Sequence, residues 1–185
     1  MLVPASEATE SATPSSLPAD DFKAIFRGHP GGVSVITADA GRGPVALTAT
    51  SVASISVHPP LLVFSISALS SASDVLSRAQ TVVVHSLDVH DIELAKLGAT
   101  SGVDRFAQDQ TWTRLSTGET VFDNVRAWVR CEVVERIQAG TSTVIVARGL
   151  QSHIARDSQP GELGDALVYH NRSWHHLNAD SHLGH

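Results

Sequence analysis

The chain has 185 residues, 42% of them hydrophobic and 17% charged, which is enough apolar material for one compact core and too little length for two full domains. Thirteen Lys and Arg against nineteen Asp and Glu give a formal charge of −6, so no basic excess exists to neutralise a phosphate backbone and nucleic acid is not an expected partner. The lone Cys131 rules out an internal disulfide and fits a reducing compartment, and no stretch approaches the roughly 18 apolar residues of a membrane span, so a cytoplasmic protein free of the membrane is expected.

Met1 to Pro18, rich in Ser, Thr, Ala and Pro, has too little hydrophobic content to repay ordering and reads as a mobile arm. The fold is expected over 19–177, with 178–185 as a flexible tail. Asp20 and Asp21 can cap a helix whose Phe22, Ile25 and Phe26 share one face, and Gly28 with Pro30-Gly31-Gly32 ends it. Val33 to Thr37, Val45 to Thr50 and Leu61 to Ile66 are β-branched or apolar runs bounded by Gly or Pro, hence strands. His58-Pro59-Pro60 cannot donate to a ladder at either proline, so the following strand starts at Leu61.

The period then changes. Ala72, Val75, Leu76 and Ala79 stand at helical spacing and predict a helix over about Ser71 to Gln80. Thr81 to Leu87 is β-like, and Asp88 can cap a second helix carrying Ile92, Ala95 and Ala99. From Trp128 alternation returns, with Val129, Cys131 and Val133 on one face; Thr143 to Ala147 is a short apolar strand that can extend to Ile154. Ala166 to His170 and Ser173 to Leu177 form a closing hairpin with Asn171-Arg172 at its turn. Many strands with few inserted helices, and no strict β-α-β alternation, point to a small antiparallel barrel that closes to remove its edges.

Two segments could hold a ligand. Thr48 to Ser56 is hydroxyl-rich, free of Gly, Pro and charge, and lies between two strands, where hydroxyls and backbone amides can bond the edge of a planar heterocycle; an ordinary β-edge is the simpler reading of those residue types. Ser67-Ala68-Leu69-Ser70-Ser71-Ala72-Ser73 opens the predicted helix, where N-terminal amides and free hydroxyls suit a phosphate monoester. Capping alone would explain one of those serines. Of the ten histidines, His175, His176, His182 and His185 lack ligand spacing, so no metal site is assigned. His85 and His170 fall inside predicted strands, either as satisfied core residues or at the border of a pocket.

Taken together, Phe22 to Thr37 and Thr48 to Leu62, with its Ser56-Val57-His58-Pro59-Pro60-Leu61 ending, resemble the flavin reductase-like, FMN-binding split-barrel family. That family includes the reductase components of two-component flavin-dependent monooxygenases. The resemblance continues through Val82 to Leu87, Asp104-Arg105-Phe106, Ala127 to Val133 and Leu167 to His170. It implies a mainly β, six-stranded antiparallel split barrel with a few crossover helices, dimeric, with one flavin per subunit near the dimer interface.

By the same resemblance, Leu47, Thr48, Ala49, Thr50 and Ser51 would face the flavin ring and its ribityl chain, and Gly31, Gly32 and Val33 would line the ring. Ser67, Ser70, Ser71 and Ser73 would lie near the phosphate, with Arg105 a further phosphate candidate. The implied cofactor is FMN, or FAD, reduced by NADH or NADPH, with no catalytic side chain, since flavin chemistry needs position and electrostatics more than a nucleophile or base. Many members carry Gly-Asp-His where this chain has Gly140-Thr141-Ser142, so His85 or His170 would stand on the nicotinamide side in its place. The resemblance also allows a monooxygenase partner for the reduced flavin; the alternative is a flavin carrier or sensor without nicotinamide oxidation of its own.

Overall fold

The computed structural model describes residues 16–108, 111–156, 165–181 and 183. Most of the expected arm 1–18, and His182 and His185 of the expected tail, lie outside the described residues. The elements are α1 (Ala19–Arg27), β1 (Gly31–Gly32), β2 (Ser34–Asp39), β3 (Pro44–Ala49), β4 (Ala53–Ser56), β5 (Leu61–Ser67), α2 (Ser73–Leu76), β6 (Thr81–Ser86), α3 (Ile92–Ala99), β7 (Trp112–Arg114), β8 (Thr120–Phe122), β9 (Ala127–Ala139), β10 (Ser142–Ile154), β11 (Ala166–His170) and β12 (Ser173–Leu177).

Seven antiparallel strands form the main sheet in the order β3-β2-β6-β9-β10-β5-β4. Its two edges, β3 and β4, are consecutive in the chain and separated only by residues 50–52. Four Cα steps span at most about 14 Å, so the sheet must curl until its edges nearly meet, leaving a barrel split between them. Ser51 fills part of that split: Ser65 N–H donates to its Oγ at 3.1 Å, and the Oγ donates back to Ser65 O at 3.3 Å. Ala53 pairs with Val63 in the β4–β5 ladder, so this side chain occupies the next ladder position.

Strand β2 explains why the core has two parts. Ile36 and Ala38 join Phe64, Leu76, Val82, Cys131 and Ile145 in one cluster, while Val33 and Val35 join Leu87, Ala95, Phe122 and Leu167 in the other. Successive residues of a strand face opposite ways, and here both faces are covered, which accounts for an unbroken run of buried residues from Ser34 to Ala38 in place of alternation. The second cluster sits between the main sheet, α3 and the small sheet β1-β11-β12. Next to it, Arg156 grips buried Asp88 with Nε and Nη2 (2.7 and 3.0 Å) and reaches Asp91 at 2.7 Å, fixing the end of β10 against the start of α3.

Several expectations change. The main sheet has seven strands where six were expected, because part of Thr48 to Ser56 forms the edge strand β4. The helix over Ser71 to Gln80 contracts to α2, since its serines bond locally and leave only a turn's worth of helix to propagate. The β7–β8 hairpin went unforeseen. Amphipathic α1 forms, yet none of its residues is buried and Phe22, Ile25 and Phe26 are more than half exposed.

Candidate functional site

A cavity of about 680 Å³ opens where the ends of β3 and β5, the serine loop after β5, the start of β10 and the C-terminal end of α3 converge. Gly98 makes that convergence tight. A Cβ on it would stand 2.4 Å from Thr48 Oγ1, so only glycine lets α3 lie this close to β3. Thr48 Oγ1 donates to Ala95 O at 2.6 Å, locking the two together.

Arg105 closes the far side of the cavity. Its Nε and Nη2 donate to Gly98 O and Thr100 O at 3.3 and 2.7 Å, satisfying carbonyls at the C-terminus of α3, while Nη1 has no partner among the described residues. The segment that carries it is anchored at Phe106, which stacks on Phe122 at 5.3 Å and whose carbonyl accepts Trp112 Nε1–H at 3.0 Å. Phe122 is itself fixed by His85, whose Nε2 accepts the Phe122 N–H at 3.0 Å. His85 Nδ1 must then carry the proton and donate to Val35 O at 2.9 Å. With the ring wholly buried, desolvation pushes its pKa down to about 4, so it is neutral at ordinary pH.

Leu47, Thr48, Ala49, Thr50, Ser51, Ser67, Ser70, Ser71 and Arg105 all border this one cavity. Their hydroxyls are unevenly committed. Those of Thr48 and Ser51 serve α3 and β5 as described, Ser67 Oγ accepts Leu69 N–H, and Ser70 Oγ accepts Ala72 N–H. Among the described residues, the side chains of Thr50 and Ser71 make no hydrogen bond and stay available to a ligand.

Other candidates fall elsewhere. Gly31 packs against Thr50, 2.8 Å from its Cβ to where a Cβ would stand. Gly32 and Val33 border a second cavity, of about 710 Å³, with Trp128, Leu167 and Ile154. Ser73 lies outside the first cavity, and its Oγ donates to Ala68 O at 3.4 Å. His85 is corrected from the nicotinamide side to the core, because a fully buried ring with both nitrogens engaged offers nothing to a substrate. His170 borders a third cavity, beside α1, that also touches Thr50.

Sequence reasoning missed Ser65, Gly98, Ser101 and Ser142 as cavity residues. Ser142 pairs with Ser67 across β10 and β5, so the Gly140-Thr141-Ser142 stretch stands at the cavity rim. That departure from the family pattern was itself the signal that could have placed it there. Cys131 takes no part: burial pushes its thiol up to about 12, which leaves it chemically quiet. No group of metal-ligating side chains occurs among the described residues, and no helix among them is long and apolar enough to cross a membrane.

The donor set suits a planar cofactor with an anionic tail. Apolar Leu47, Ile66 and Ala99 can hold a ring, uncommitted hydroxyls such as those of Thr50 and Ser71 can bond its polar edge, and a pre-positioned guanidinium at one wall can meet a phosphate.

Comparison with known proteins agrees with this chemistry. Residues 26–178 match the model of the flavin reductase like domain. The chain is 37% identical over 163 residues to an NADH:FMN oxidoreductase of Rhodococcus erythropolis, covering 86% of this chain and 84% of that one. It is 31% identical over 180 residues to an FMN reductase (NADH) of Pseudomonas syringae, covering 94% and 97%. Among solved structures, a flavin reductase domain protein from Arthrobacter superposes with a TM-score of 0.78 at 28% identity, covering 85% of this chain and 94% of that one. The flavin reductase component of a bacterial two-component tryptophan halogenase superposes with a TM-score of 0.74 at 26% identity, covering 87% and 99%.

Proposed function

The chain belongs to the flavin reductase-like domain family, and on that premise we propose that it is an NAD(P)H-dependent flavin oxidoreductase with FMN held in the 680 Å³ cavity. The observation that carries this reading is the meeting, around one cavity, of the 47–51 segment, the serine loop and Arg105. A flavin held there would supply the redox chemistry, as an acceptor of hydride from a dihydronicotinamide, so that no protein nucleophile is needed.

The chain's own residues supply placement. Leu47, Ile66 and Ala99 would give a bound ring apolar contact, Thr50 and Ser71 would offer it free hydroxyls, and Arg105 Nη1 would offer a cation held in place, because Nε and Nη2 are tied to α3. A cavity of this size suits a mononucleotide, and the two curated relatives described above are named for FMN and NADH. FMN and NADH are therefore the proposed pair.

The 710 Å³ cavity that contains Gly32 and Val33 is bordered by Ile154 and Leu177, which are 58% and 47% exposed in the single chain. Such an apolar mouth favours a second copy of the chain as its cover, and we read the protein as a homodimer. A partner monooxygenase receiving reduced flavin is the proposed destination, supported by the halogenase-system relative. The domain is proposed to span 19–177 in a cytoplasmic protein.

The test is steady-state oxidation of NADH and of NADPH with FMN, FAD or no flavin. Flavin-dependent loss of dihydronicotinamide absorbance is expected. Ser142, where many family members have histidine, favours a second reading as a flavin carrier; tight flavin binding with no oxidation of either dinucleotide would establish that reading and overturn the first.

A further inference from the structure

A groove of about 390 Å³ lies between α1 and the β11–β12 turn, outside the flavin cavity but sharing Thr50 with it. Its walls combine two kinds of chemistry. Phe22 and Phe26 pack with ring centroids 4.6 Å apart and remain more than half exposed, facing a groove that Tyr169 also lines. Arg27 and Arg172 bring two guanidinium groups, and among the described residues no Asp or Glu lines the groove. Lys23 is the third basic residue, engaged with Asp20 at 3.3 Å. A local cluster of this sign on a chain of net charge −6 is not a by-product of overall composition.

The turn is built to present Arg172. Asn171 and Arg172 have φ of 47° and 62°, the left-handed pair of a tight hairpin turn in which the second position favours glycine. Arginine stands there against that preference. Asn171 N–H donates to Arg27 O at 3.0 Å, which ties the turn to the end of α1 and brings the two guanidinium-bearing residues to one groove.

We propose that this groove binds the nucleoside-phosphate end of the dinucleotide substrate, its base against the Phe22, Phe26 and Tyr169 rings and its phosphates between Arg27 and Arg172. The inference rests on the reductase reading above, because the shared Thr50 lets one extended ligand reach from the groove to a flavin in the neighbouring cavity. Stacking on aromatic faces and charge-assisted bonds to arginine are the contacts by which proteins hold such groups.

The experiment has two arms on the full chain. Calorimetric titration with ADP, which carries the base and phosphates without the nicotinamide, should show binding that weakens with salt. Binding should fall about threefold to tenfold in Arg172→Gly and in Arg27→Gln. Arg172→Gly also removes the backbone penalty, so its thermal midpoint should hold or rise, which separates lost binding from lost folding. In the kinetic arm, ADP should compete with NADH, and the KM for NADH should rise in both variants. If the wild type oxidises NADH but ADP fails to bind, or binds both variants as well as wild type, the groove assignment is overturned and the reductase reading stands. If ADP binds and the variants lose it while no dinucleotide is oxidised, the groove keeps its nucleotide and the reductase reading falls.

Discussion

Gly98 and Thr48 stand so close that a methyl group on the glycine would meet Thr48 Oγ1 at 2.4 Å and Thr48 N at 3.1 Å. Replacing a helical glycine by alanine normally stabilises by up to about 1 kcal/mol, whereas overpacking costs about 1–3 kcal/mol. The clash is with β3 itself, so Gly98→Ala should destabilise the protein by about 1 kcal/mol and weaken FMN binding by moving α3 off the cavity. Thr48→Ala removes the hydroxyl that would clash. In denaturant titrations the double variant should therefore be more stable than the sum of the single losses predicts; strict additivity would contradict the packing account.

Arg105 should matter to the phosphate more than to the ring. Arg105→Gln is expected to cost about 1–2 kcal/mol of FMN affinity and to cost much less with riboflavin, which lacks the phosphate. Flavin fluorescence titration of both ligands decides this. Equal losses would move the anion site away from Arg105.

His85 makes stability depend on pH. Its pKa is about 4 folded against 6.5 for the free group, so below 6.5 the unfolded chain takes up a proton that the folded chain refuses. The neutral ring's contribution is complete above pH 6.5 and is lost as pH falls towards 4, by about 3 kcal/mol in total. His85→Leu removes this dependence, and it also strips Phe122 N–H of its acceptor, costing about 1–3 kcal/mol at neutral pH. Urea midpoints of both proteins from pH 4 to 8 should converge as pH falls; parallel curves would rule out His85 as the source.

The apolar mouth formed with Ile154 and Leu177 carries the dimer reading. Ile154→Glu with Leu177→Glu would bury two carboxylates at such an interface, at a cost of several kcal/mol. Sedimentation velocity should show a dimer for the wild type and a monomer for the double variant. A monomeric wild type would remove the interface.

How far the sequence could be read follows from what each signal measures. Alternation and turn residues located β5 at Leu61 behind two prolines, and the Asn171-Arg172 turn between β11 and β12. Resemblance brought together Leu47 to Ser51, the serine loop and Arg105, which the fold places around one cavity. Hydrogen-bond allocation was invisible in the sequence. Thr48 and Ser51 look like ligand hydroxyls, yet three-dimensional neighbours claim them. His85 looked available and is sealed in the core, because burial depends on β7–β8 and on Phe122, a hairpin whose short strands carry little periodic signal. Gly98 in α3 gave no local sign that β3 lies too close to leave room for a Cβ there.

FMN held by this chain should sit where a dinucleotide can reduce it. Mixing FMN-loaded protein with NADH in the absence of oxygen, while following the visible flavin band, tests this. Bleaching should be faster than for free FMN, saturate with NADH, and be lost when Ser142→Trp fills the cavity rim. Flavin that remains bound and coloured, or that bleaches no faster than in free solution, would contradict it.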